Sequence, residues 1–299
     1  MSVGVLDVGC FSAHLVVVER DLMRPLMSHK VRLRLDRALD AEGAISKDGI
    51  ESLCAAVLAA RKKAGDVPFL PFATSSVRDS LNVDEVMRKV HRRTGVELKV
   101  LSGKEEARLS YTAARHWFGW SAGPMVVLDV GGGTVELALG SGSDPELAIS
   151  LPLGARTLTR AGLTVQDMRA EVLDQITEAF PAKYRDSDES ARAVGCSKVF
   201  EQLARLAGAR TGPYAARQLR LKDLEKWIPR LAKLSVRERA ALPGISRHRA
   251  RQSLAGAVVA EALMRVAGHD VVDISPWSTK EGLLLDLVER SRLRRDSAA

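Results

Sequence analysis

The sequence predicts an α/β protein made of two related halves, each opening on a β-hairpin. Three observations carry that reading. The tetrapeptide Leu-Asp-Val-Gly occurs at 6–9 and again at 128–131, and each copy lies between two apolar runs separated by a short turn. Asp7, Ser12 and His14 in the first copy fall at the spacing of Asp129, Thr134 and Glu136 in the second. Strand-like and helix-like segments then alternate, as a sheet covered by crossover helices requires.

Taken in order, residues 3–6 and 15–18 supply the strands of the first hairpin. A helix is expected over 48–63, where Ile50, Leu53, Val57 and Leu58 share a face, followed by a strand in FLPFATS at 69–75. A second helix at 83–94 places Val83, Val86, Met87 and Val90 on one side, with Gly95 as its stop. A strand at 98–101 and a helix at 104–117 complete the first half. The breaker-rich FGWSAGP at 118–124 precedes the second copy, so the domains are expected at 1–120 and 121–299. Strands continue to about residue 153, then a helix at 166–180, a strand at 191–195 and a helix at 198–207. Charged, irregular sequence is expected over 208–243, an alanine-rich helix over 248–266, a strand at 270–275 and a last helix from 278. The four arginines within 290–295 read as the solvated end of that helix.

Composition narrows the class. With 46% hydrophobic and 27% charged residues, the 299-residue chain is globular in character. No apolar run approaches the ~20 residues that span a bilayer, and the start lacks a basic-then-apolar leader, so a cytoplasmic protein without membrane attachment is expected. Cys10, Cys54 and Cys196 are far apart and have no nearby Cys or His at metal-ligand spacing, which argues against disulfides and structural zinc. A net charge of +8 favours anionic partners, while 4% aromatic residues argue against a base-stacking surface and against specific nucleic-acid binding.

The second turn is the densest chemical signal. Gly131, Gly132 and Gly133 with the Thr134 hydroxyl form a run in which backbone N–H groups can converge on one anion, because no Cβ blocks the approach. Asp129, at the end of its strand, suits a hard divalent cation that meets phosphate oxygens. Two such turns facing one another across an interdomain cleft would enclose a phosphate chain. ATSSVRD at 73–79 adds Ser75, Ser76 and Arg78, the last suited to clamping phosphate through two N–H groups. LSGKEEARLSY at 101–111 places Glu105 and Glu106 in the first turn of a helix, as dipole partners or as a carboxylate that orients an attacking water. Spacing does not choose between them.

Seven segments in one order, LDVGCFSAH, FATSSVRD, LSGKEEARLSY, LDVGGGTVEL, SLPLGA, PGISRHRA and SPWSTKEGLLL, make the chain resemble the exopolyphosphatase and guanosine pentaphosphate phosphohydrolase family. The resemblance implies a duplicated actin-like, sugar-kinase-like (ribonuclease H-like) α/β fold with an interdomain cleft. It also implies Glu106 as the catalytic carboxylate, and Asp129 and Glu136 as the acidic pair around a Mg²⁺ (or Mn²⁺) ion and the attacking water. Asp7 is the corresponding metal-side carboxylate of the first turn. Phosphate contacts would come from Gly131, Gly132, Gly133, Thr134, Arg78, Ser12 and Ser76. Family members often carry a further C-terminal helical domain, and this chain ends too early for one. A homodimer is compatible with the resemblance. Three departures stand out: Cys10 and Phe11 replace a small polar residue and Asn, His14 replaces a basic residue, and GCSKVFEQL at 195–203 lacks a second glycine-rich turn. They point to altered substrate recognition.

The expected function is Mg²⁺-dependent removal of terminal phosphate from inorganic polyphosphate. Hydrolysis of a guanosine polyphosphate, pppGpp, is the related alternative, and a low-turnover phosphate or nucleotide sensor is the alternative from another class. A sugar-kinase-like ATPase ranks below both, since Glu106 suits water activation without an acceptor sugar.

Overall fold

The first hairpin forms where the repeat places it. In the computed structural model, which describes residues 2–184, 191–208 and 217–296, β1 (Val3–Val8) pairs antiparallel with β2 (Ser12–Val18), and Asp7 lies opposite His14. β3 (Met27–Arg32) adds to β2, followed by the short α1 (Leu35–Ala38) and the long α2 (Lys47–Ala64). β4 (Phe69–Ala73), α3 (Ser75–Arg78), α4 (Val83–Thr94) and β5 (Lys99–Val100) follow, giving the sheet order β3-β2-β1-β4-β5 with β4 and β5 parallel to β1. Leu6, Val8, Ala13, Leu15 and Val17 face the apolar sides of α2 and α4. The helix stop read at Gly95 holds, with φ of 65° and its N–H on the His91 carbonyl.

The second unit begins with α5 (Gly103–Phe118) and then repeats the hairpin. β6 (Met125–Val130) pairs with β7 (Val135–Gly140) so that Asp129 lies opposite Glu136, the same register as Asp7 and His14. Then come β8 (Leu147–Leu151), α6 (Ala155–Ala161), α7 (Val165–Ala179), β9 (Arg192–Gly195), α8 (Lys198–Ala207), β10 (Gln218–Arg220), α9 (Leu221–Lys233), α10 (Val236–Arg239), α11 (Ser253–Val266) and β11 (Val271–Ile274). The sheet order is β10-β11-β9-β6-β7-β8. From β8 through β9 and β11 it repeats the first sheet, and β10 is an added antiparallel edge. The chain closes with α12 (Thr279–Asp296), which packs on β1 of the first unit.

The compact units therefore run 1–102 with 279–299, and 103–278. They differ from the division drawn at 120/121, because α5 packs on β6, β7 and β8, while α12 returns to β1. Each half's closing helix lies with the other half's sheet. The sequence reading also missed β3, α1, α3, α6, β10, α9 and α10. The stretch expected to be irregular over 208–243 holds the last three, and its residues 209–216 lie outside the described ones. In α9 the buried Leu224, Ile228 and Leu231 keep helical spacing, but Pro229 stands inside the helix and reads as a breaker. No helix among the described residues is long and apolar enough to cross a membrane.

One buried charge ties α5 to its sheet. Arg115 is 1% exposed and has no carboxylate partner among the described residues. Its Nη1 donates to the Gly123 carbonyl at 2.7 Å, and its Nη2 to the Tyr111 hydroxyl at 2.9 Å and the Gly140 carbonyl at 3.2 Å. The Tyr111 and Trp120 rings offer their faces to the guanidinium, 5.4 and 5.7 Å away. Replacing Arg115 by Met would take a donor from the buried Gly140 carbonyl and from the half-buried Gly123 carbonyl. We expect Arg115→Met to lower stability by roughly 3 kcal/mol in urea denaturation, with Arg115→Lys recovering part of the loss.

Candidate active site

Alternation along the second hairpin decides which side chains meet α5. Val126, Leu128 and Val130 enter the main core, whereas Met125 and Val127 pack with Ala107, Tyr111 and Ala114 of α5. Asp129 continues the second series, and Glu136 continues the series of Ala138. The two carboxylates thus face α5 from directly opposed positions. On α5, Glu106 and Ser110 are four residues apart and share a helix face. The Ser110 hydroxyl donates to Asp129 Oδ2 at 3.3 Å, so Glu106 sits one turn away on the same side. Ser150 of β8 donates to Glu136 Oε1 at 2.9 Å. The start of α5 approaches that serine so closely that a Cβ at Gly103 would stand 2.2 Å from its Oγ. Glu106 and Glu136 are buried, while Glu105 is exposed. Burial separates the two glutamates that spacing left equivalent.

The glycine turn is held by its carbonyls. Gly131 O accepts from Ala155 N at 3.0 Å, Gly132 O from Arg156 N at 2.8 Å and Thr157 N at 3.2 Å, and Gly133 O from Gly154 N at 3.0 Å. The Thr157 hydroxyl adds a bond to Gly133 O at 3.1 Å. In a trans peptide the next N–H points opposite to its carbonyl. The N–H groups of Gly132, Gly133 and Thr134 are therefore all aimed away from α6, and none has a partner among the described residues. Such a row of free donors has the chemistry to receive an anion. It depends on Gly154, where a Cβ would stand 2.3 Å from the Gly133 carbonyl carbon and 2.4 Å from Gly132 O.

The first unit repeats this arrangement in part. Gly9 N bonds Ser12 O at 3.0 Å, as Gly131 N bonds Thr134 O at 2.9 Å, and Cys10 O and Phe11 O accept from Leu35 N and Leu33 N. Cys10 and Phe11 are both buried. Ser76 is buried at the start of α3, and Ser12 is half-buried at the start of β2. Arg78, expected to clamp phosphate, lays its fork on Asp79, with Nε to Oδ1 at 2.8 Å, and sends Nη1 to the Leu101 carbonyl at 3.0 Å. Asp7 shares its unit with these residues; Glu106, Asp129, Glu136 and the glycine turn belong to the other.

Both hairpin aspartates are hard to ionise. Burial pushes Asp129 up to about 6, against hydrogen bonds from Ser110 and Ser197 and the positive charge of Arg249. Burial likewise lifts Asp7 to about 6; the charges of Lys280 and Lys30 oppose the rise and Glu281 adds to it. Sequence reading missed Ser110, Ser150, Ser197 and Arg249. Ser110 was findable from its four-residue spacing to Glu106, and Ser197 from its place as the N-cap of α8. Nothing local signals that Arg249 faces an aspartate 120 residues away in sequence.

The donor set limits what cation fits. Among the described residues no group of three or more His, Cys, Asp or Glu side chains could enclose a metal. Asp129 and Glu136 suit instead a hard ion held by one or two carboxylates and completed by water and phosphate oxygens, and the reluctance of buried Asp129 to ionise is what a nearby cation would relieve.

Known proteins resemble this chain along nearly its whole length. Residues 15–291 match the model of the Ppx/GppA phosphatase family. Exopolyphosphatase 1 of Mycobacterium leprae is 41% identical over 95% of this chain and 89% of its own length. A guanosine-5'-triphosphate,3'-diphosphate pyrophosphatase of Vibrio atlanticus is 25% identical over 96% of this chain and 59% of its own. The crystal structure of an exopolyphosphatase from Cytophaga hutchinsonii superposes with a TM-score of 0.81 at 20% identity, covering 97% of this chain and 98% of that one, a likeness of fold.

Two expectations follow from the site itself. Gly154→Ala should displace the glycine turn, lowering stability by roughly 2–3 kcal/mol in thermal unfolding and weakening phosphate binding measured by calorimetry. Asp129 has a folded pKa above its unfolded value, so the native state holds the extra proton and stability falls as pH rises from about 3.8 to about 6. Asp129→Asn should therefore be more stable than the parent by roughly 2–3 kcal/mol above pH 6, with the gain vanishing toward pH 4 in denaturant titrations. A loss of stability above pH 6 would contradict this account.

Proposed function

Since this chain belongs to the Ppx/GppA phosphatase family, we propose that it is an exopolyphosphatase, hydrolysing the terminal phosphoanhydride of inorganic polyphosphate in the cytoplasm. The observation that carries the reading is the convergence in one unit of three outward backbone donors with the buried carboxylates of Glu106, Asp129 and Glu136. Such a site fits a substrate that is nearly all charge and needs little covalent help. Catalysis is then positioning and electrostatic stabilisation.

In this reading Gly132, Gly133 and Thr134 hold phosphate oxygens through their N–H groups, with the Thr134 hydroxyl beside them. Glu106 orients a water and takes its proton as the oxygen attacks the terminal phosphorus. The anhydride bond to the leaving phosphate breaks, giving orthophosphate and a chain one unit shorter. Asp129 and Glu136 would hold Mg²⁺ or Mn²⁺, which when bound supplies positive charge to the phosphate oxygens. Ser110 and Ser197 keep Asp129 in place for that ion, and Ser150 keeps Glu136. Asp7, Ser12, Ser76 and the Asp79-oriented Arg78 lie in the first unit, around the turn that repeats the glycine turn in part.

The Vibrio relative motivates pppGpp as a second substrate to offer. Phosphate release with Mg²⁺ should be measured on long-chain polyphosphate, tripolyphosphate, pppGpp and ATP in parallel. Polyphosphate should be preferred, and Glu106→Gln should lower kcat by at least ~100-fold while leaving polyphosphate affinity near that of the parent. Preference for pppGpp would reassign the substrate. Binding without release from any of the four would mean a sensor.

A further inference from the structure

α11 carries charge at only two positions along its length. These are Glu261 and Arg265, which share a helix face with Val258 and Ala262. Both α7 and α9 pack on α11, and that face is the floor of a cleft of about 450 Å³ between them. Arg169 and Leu173 of α7 line one side of it, and Glu225 and Pro229 of α9 line the other. All three helices belong to the second unit. The cleft is separate from the hydrolytic carboxylates, because α11 packs with Leu128 and Val130 on one face of the sheet, whereas Asp129 and Glu136 face α5 on the other.

The charges in this cleft are only partly spent on one another. Glu261 is 4% exposed and receives Arg169 as a fork, Nε to Oε2 at 2.7 Å and Nη2 to Oε1 at 3.1 Å. Arg265 Nη2 reaches the same Oε1 at 3.4 Å and Glu225 Oε1 at 2.6 Å. Two guanidinium groups therefore converge on one buried oxygen. Burying such ions costs about as much as their attraction returns, so the cluster is poorly explained as a device for stability. Arg169 Nη1, Arg265 Nε and Nη1, and Glu225 Oε2 have no partner among the described residues. Pro229 adds a further acceptor: it has no N–H, so it cannot supply the helical hydrogen bond to the Glu225 carbonyl.

The lining thus offers unspent donors for an anion, unspent acceptors for a cation, and apolar surface from Leu173, Pro229, Val258 and Ala262. Two arginines against two glutamates leave it without net charge, which disfavours a polyanion. A purely apolar guest would leave the donors and acceptors without partners. We propose that this cleft is a binding site for a free apolar α-amino acid. Its carboxylate meets Arg169 and Arg265, its ammonium meets Glu225, and its side chain lies on the apolar lining. The volume is that of a small-molecule site, with a few polar groups set in an otherwise apolar wall. The proposal does not depend on the hydrolytic reading.

The test is calorimetric titration of the full chain with L-leucine and L-phenylalanine. Three truncated probes accompany them: isocaproate, which is leucine without its ammonium, isopentylamine, which is leucine without its carboxylate, and glycine, which has no side chain. Expected is saturable one-to-one binding of at least one of the two amino acids, with each truncated probe at least ~10-fold weaker. Arg265→Gln and Glu225→Gln alter half-exposed side chains, and each should weaken the amino acid by a similar factor. Arg265→Gln should also erase the preference over isopentylamine, and Glu225→Gln the preference over isocaproate, which a merely structural role for these residues would not do. Absence of saturable binding by the parent protein would overturn the proposal. So would a truncated probe that binds as tightly as the amino acid, or amino-acid binding unchanged in both variants.

Discussion

The carbonyl oxygens of Gly131, Gly132 and Gly133 are committed to backbone donors of residues 154–157, and the site depends on that commitment. It turns three consecutive N–H groups the other way, fixes the end of the hairpin, and satisfies the first donors of α6, which would otherwise be orphaned at a helix start. The backbones must nearly touch for this to happen, which is why glycine stands at 154, where a Cβ would run into Gly132 O and the Gly133 carbonyl carbon. From the rigid hairpin the rest follows. Asp129 and Glu136 are placed in register, α5 is laid against them by Ser110, Ser150 and Gly103, and Glu106 is carried inward.

The two hairpins share a register and a turn hydrogen bond but have parted chemically. In the second, the residue opposite the aspartate is an acid, and the turn is all glycine. In the first it is His14, whose Nε2 lies 2.8 Å from the Ser28 hydroxyl, and the turn holds two buried side chains. Asp7 and Asp129 nonetheless share the burial that makes each resist ionisation, with different charged and hydrogen-bonding neighbours. The scaffold of the repeat has been kept while three of the four candidate acids, Glu106, Asp129 and Glu136, lie in one unit and Asp7 in the other. That asymmetry suits a reaction with one attacked phosphorus and many spectator phosphates.

Much of the architecture was legible because it is encoded locally. The repeated Asp-Val-Gly set both hairpins, apolar periodicity set α2 and α4, and Gly95 marked a helix end by a conformation other residues adopt at a cost. What escaped was non-local or masked by a competing signal. Pro229 hid α9, whose buried face is regular on either side of it. The unit boundary escaped because FGWSAGP is a breaker within one unit, while the crossing into that unit lies just before α5, where nothing in composition changes. At the site the carboxylates and glycines declared themselves. Ser150, Ser197 and Arg249 did not, because a hydroxyl or guanidinium gains its meaning only from what the fold brings beside it.

The exchange of closing helices makes the repeat indivisible. The first sheet is served by α12, written at the end of the chain, and the second by α5, written before its own hairpin. A gene for one half would therefore encode a sheet together with a helix that belongs elsewhere, and a lone half could complete itself only by borrowing from a second copy, as swapped dimers do. Within one chain that loan is intramolecular. The two borrowed helices differ: α5 carries Glu106, while α12 carries Lys280 beside Glu281.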